Sequence, residues 1–156
     1  MSTQSTVNTW WAVLTVWGVV NVVNILQAAG FISRVITGSR DINRLLGYGI
    51  IALGAPAIVA IIFIVREKTG WQHWIGPALF LVFLVFMVCV EYVWSIEFRS
   101  PMRYEILIPY LVLFYGSILL MGLPMFRINR GLWLITAVTS VVHLGAMVLA
   151  LLRGVG

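Results

Sequence analysis

A chain of 156 residues that is 62% hydrophobic and only 10% charged cannot clothe a water-soluble domain, whose residues are roughly 25% charged. Lipid is therefore the expected solvent for most of its exterior. The formal net charge of +5 lies in short connections between apolar runs, which suits anionic headgroups and argues against a nucleic-acid reader with its basic, aromatic-studded face.

Residues 1–9 are polar and contain no Lys or Arg, so they lack the basic start of a cleavable signal peptide, and the first apolar run is expected to be retained. That run, about 10–33, is interrupted only by Asn21, Asn24 and Gln27. The connection 34–44 carries three arginines and Asp41, with Gly38-Ser39 as a turn and Ser39 or Asp41 as a helix cap. A second run, about 45–65, contains Gly47, Gly49 and Gly54, which permit close helix approach, and Pro56, which is expected to kink it.

Arg66 to Gly70 form a charged turn, and a third run follows at about 74–94 with Pro77 expected in its first turn. Next comes the hairpin Cys89–Tyr110, which holds Glu91, Glu97 and Glu105 together with Arg99 and Arg103. The fourth run is about 106–125, and Arg127 to Gly131 lead to the fifth at about 132–152. Each run has about 20 residues, enough at ~1.5 Å each to cross a hydrocarbon core of ~30 Å as a helix. The alternating ~10-residue segments of a barrel are not visible. The predicted fold is an all-α integral membrane protein: one domain, a bundle of five transmembrane helices with short loops.

Five crossings put the termini on opposite sides. Six arginines fall on the side of 34–44, 95–104 and the C-terminus, against Arg66, Lys68, Arg127 and Arg130 on the other, which favours a cytoplasmic C-terminus in the cell membrane. Trp10, Trp11, Trp71, Trp74 and Trp133 would then form one interfacial belt on the non-cytoplasmic side.

Few residues are left to carry chemistry. Gln27 lies seven residues before Arg34, Glu91 eight before Arg99, and Tyr110 seven after Arg103, so all three fall roughly 10–12 Å inside one arginine layer. Asn24 and His143 lie deeper, near mid-bilayer. Asn21, Asn24 and Gln27 repeat every third residue and form a stripe that must face protein or water, as interhelical bonds or as the lining of a path. A carboxylate at the depth of Glu91 must be protonated, paired or solvated, and snorkelling Arg99 or Arg103 are its nearest partners. His143 follows Thr139 by one helical turn, a faint nucleophile-and-base pattern weighed against a structural histidine.

Arg99 and Arg103 are candidates for lipid headgroups, and across the turn Glu97 can reach Arg103 and Glu105 can reach Arg99. Cys89, the only cysteine, excludes internal disulfides and thiolate metal cages and reads as a small buried hydrophobe. No metal and no cofactor is expected. The expected partners are membrane lipids, a second copy of the chain or a larger membrane complex, and not nucleic acid. The expected function is binding or transport of a proton, small cation or amphipathic ligand through Glu91, His143, Asn21, Asn24, Gln27 and Tyr110. The alternatives are a membrane enzyme acting on a lipid or isoprenoid, with Glu91 and His143 as acid and base, and a non-catalytic accessory subunit.

Overall fold

A computed structural model describes residues 3–39, 41–96, 98 and 103–155, with side chains from Trp10 onward. Every regular element among them is helical. In chain order these are α1 (Thr3–Thr37), α2 (Asp41–Ala52), α3 (Gly54–Arg66), α4 (Trp71–Met87), a π-helical segment (Val88–Val93), α5 (Tyr104–Ile128) and α6 (Arg130–Leu152). With α2 joined to α3, and α4 to the π segment, they make five helices long and apolar enough to span a membrane. Their outward faces are lined by residues such as Leu134, Val138, Val141 and Val142 of α6. Five such helices suggest a membrane protein, since water does not tolerate apolar faces of that extent.

Several boundaries differ from the sequence reading for stated reasons. Helix α1 starts within the polar residues 3–9 and runs past Arg34, because Val35 and Ile36 continue the apolar register, so Arg34 is a buried residue of the last turns and not part of a loop. Ser39 then accepts from the Asp41 amide at 3.1 Å and ties the turn to the start of α2. Pro56 ends α2 four residues upstream, at Ala52, whose carbonyl it cannot satisfy; Leu53 forms the break. Helix α4 begins at Trp71, so Pro77 is inside it and not in its first turn, and it supplies no N–H to the His73 carbonyl.

Helix α1 is the pivot. Half of its most apolar stretch is buried, against 22% for α6, and it contacts α2, α3, α5 and α6. The most extensive pairings are α1 with α6 and α4 with α5; α3 joins α4, and α5 meets α6 along a thinner seam. The core runs from Val16, Val20 and Val23 through Ala57, Ala60 and Ile64 to Phe80, Phe83, Met87, Phe114 and Met121. Helices α4 and α5 touch backbone to backbone at Gly76, where a Cβ would lie 2.6 Å from the Met121 nitrogen and 2.9 Å from the Leu120 carbonyl oxygen. Pro124 donates nothing to that same carbonyl, so the two helices meet where a peptide oxygen is left without its helical donor.

Candidate functional site

The polar stripe of α1 divides. Asn21 donates to the Thr136 hydroxyl at 3.1 Å and accepts from the Thr139 hydroxyl at 2.8 Å. Asn24 donates to Thr139 at 3.2 Å and Ser140 at 3.0 Å, while its own carbonyl oxygen is buried without a partner. One turn earlier the Trp17 indole donates to the Leu132 carbonyl at 2.9 Å. Two amides and three hydroxyls thus zip α1 to α6, the arrangement expected where helices can bond only to each other. The Thr139 proton is held by Asn21, so no Thr139–His143 nucleophile pair forms.

Gln27, three residues further on, turns instead toward α5 and borders two cavities. One is a polar recess of about 10 Å³ that Gln27 shares with Asn43, Glu91 and Tyr110. Glu91 is half-buried in the π segment. There the Trp94 amide bonds the Cys89 carbonyl, five residues back, at 2.9 Å, so the backbone widens by one residue beside the carboxylate. The same segment is anchored to α2 by the Tyr92 hydroxyl, which donates to the Arg44 carbonyl at 3.0 Å and fills the space left by Gly47.

The second cavity is a partly open groove of about 230 Å³ between α1, α5 and α6. Phe31, Phe114, Leu111, Met147 and Leu151 make it apolar, and Gln27, Tyr110, Tyr115 and His143 bring the polar atoms. His143 is 2% exposed and rests among three rings: Phe31 and Tyr115 stack on it at 5.9 and 5.7 Å, and Phe114 meets it edge-on at 5.3 Å. Tyr115 donates to the Met147 sulfur at 3.1 Å. Tyr110 and Gln27 line both cavities and so form the partition between them.

Of the six residues singled out for a path, four therefore gather around this partition, and Asn21 and Asn24 belong to the helix zipper. Arg103 is exposed at the start of α5, while Arg99 and Glu97 lie outside the described residues, and with them the ion pairs expected across the hairpin. Phe98 is buried against Tyr110, ring centroids 5.1 Å apart, and closes that end of the bundle. Cys89 is only partly buried. Among the described residues, no three His, Cys, Asp or Glu side chains gather as metal ligands would.

Sequence reasoning missed Arg34, which is buried with its guanidinium 5.9 Å from the Phe31 ring. It also missed the aromatic surround of His143. The first was legible in the apolar residues after Arg34; the second joins three helices and has no local signal.

No protein-family model, curated protein or solved structure matches this chain.

Proposed function

We propose that this is a membrane-embedded binding protein for an amphipathic small molecule, which reaches the α1–α5–α6 groove sideways from the bilayer. The observation that carries this reading is the groove itself: mostly apolar, partly open, with a buried imidazole and an amide among its lining. Apolar cavities of about 150 Å³ already take a benzene ring, so 230 Å³ suits a ring or chain segment with one polar group. Gln27 offers a donor and an acceptor, and His143 at least one of each when neutral. The groove's open side lets a tail remain among the lipid chains.

The small recess favours a second reading, transport of a proton or small cation. It has room for about one water and places Glu91 beside Gln27 and Tyr110, one partition away from His143. In either reading the arginine-richer end, with the C-terminus, faces the cytoplasm.

A long-chain alcohol carrying a diazirine tests the first reading. In membranes containing the full chain, photolabelling is expected to concentrate on groove residues such as Tyr115, Met147 and Leu151. Met147→Trp, which fills the groove, is expected to remove that labelling. Even labelling over the outward helix faces, indifferent to Met147→Trp, would contradict it.

A further inference from the structure

Buried polar side chains are nearly always hydrogen-bonded, and His143 is not. It is 2% exposed, and its contacts are with the rings of Phe31, Phe114 and Tyr115. Among the described residues neither His143 nor Gln27 has a hydrogen-bond partner, and both line the α1–α5–α6 groove. Resting on the binding function proposed above, we infer that the groove takes a neutral lipid headed by a flat, oxygen-bearing ring: a quinone or its quinol on an alkyl or prenyl tail.

Three features of the lining select that class. No Lys, Arg, Asp or Glu is among the ten residues that form it, so a phosphate, carboxylate or ammonium head would enter without a counter-charge. Five of the ten carry rings, surroundings that suit stacked or edge-on packing against another ring more than a puckered, saturated head. The two unbonded groups, finally, are neutral and can serve either oxidation state. The Gln27 amide and one imidazole N–H can donate to a quinone carbonyl, and the other imidazole nitrogen can accept from a quinol hydroxyl. Leu107, Leu111 and Leu151 supply apolar surface for the start of the tail.

The test uses the purified full chain in detergent and a tritiated decyl-benzoquinone, with binding read by scintillation proximity. Saturable binding is expected, and Met147→Trp is expected to abolish it. The matching quinol is expected to compete at a similar concentration. Decylbenzene keeps ring and tail without oxygen, and decanol keeps tail and oxygen without the ring; each is expected to compete about tenfold more weakly. His143→Phe keeps a ring but loses both nitrogens, and Gln27→Leu loses the amide. Each is expected to weaken quinone binding about tenfold, as loss of one buried hydrogen bond does. Arg130→Gln, off the groove, is expected to change nothing.

Quinone binding that does not saturate, or that is indifferent to Met147→Trp, would overturn the inference. So would decylbenzene or decanol competing as well as the quinol, because oxygen or ring would then go unrecognised. The competition series needs no variant, so it decides even where circular dichroism shows a variant unfolded. Labelling by the diazirine alcohol is read separately: if it persists while the quinone fails, the ring-headed class is lost and the binding function stands.

Discussion

At the scale of single residues, the α1–α6 zipper contains one well-satisfied amide and one that is not. Asn21 makes bonds through both its nitrogen and its oxygen, whereas the buried carbonyl of Asn24 has no partner. Interhelical hydrogen bonds in membranes average about 0.6 kcal/mol, and a buried orphan costs about 1–3 kcal/mol. Asn21→Leu is therefore expected to destabilise by about 1 kcal/mol, and Asn24→Leu by less, or even to stabilise. Unfolding of the two variants in mixed micelles checks the order; a larger loss for Asn24→Leu would contradict it. Glycines give a second residue-level contrast. Gly76→Ala drives a Cβ into the Met121 and Leu120 backbone, which cannot rotate aside, while Gly18→Ala and Gly145→Ala meet nothing within 4 Å. The first is expected to lower the melting temperature and loosen α4 from α5; the other two are expected to leave it within error.

At the scale of elements, the π segment and α2 form one coupled unit. A Cβ at Gly47 falls directly onto the Tyr92 hydroxyl, the group that bonds the Arg44 carbonyl. Gly47→Ala and Tyr92→Phe are each expected to destabilise, the latter by about 1 kcal/mol. Their combination is expected to cost less than the sum, because removing the hydroxyl opens the space that the methyl needs. Strict additivity in a double-mutant cycle would refute that coupling. The five long helices were legible in the sequence because each apolar run is the length of a bilayer core. The break at Leu53 was half legible: Pro56 announced it, and the carbonyl four residues earlier located it. The π segment was not, since no Gly or Pro marks Val88–Val93 and the group that anchors it, the Arg44 carbonyl bonded by Tyr92, lies 48 residues away on α2. The polar stripe of α1 was legible as a stripe, but not its division, because Asn21 and Asn24 find their hydroxyls more than 110 residues away on α6.

At the scale of the whole molecule, α1 sits amid the other helices and two distinct cavities meet at Gln27 and Tyr110. Depth counted along the sequence already put Gln27, Glu91 and Tyr110 in one layer. That His143 shares the partition from the α6 side follows from packing alone. Orientation is testable at this scale: in a Cys89→Ser background, Thr69→Cys is expected to react with a membrane-impermeant maleimide on intact cells, and Ser39→Cys only after permeabilisation. The reverse pattern would invert the topology. The claim on which the account rests is that the α5–α6 seam opens on an occupied groove. It is tested most directly by an experimental density map of the full chain extracted with its native lipids. The account predicts elongated non-protein density beside His143 and Gln27, emerging between α5 and α6. A closed seam, with Met147 packed onto Leu111 and no room beside His143, would contradict it.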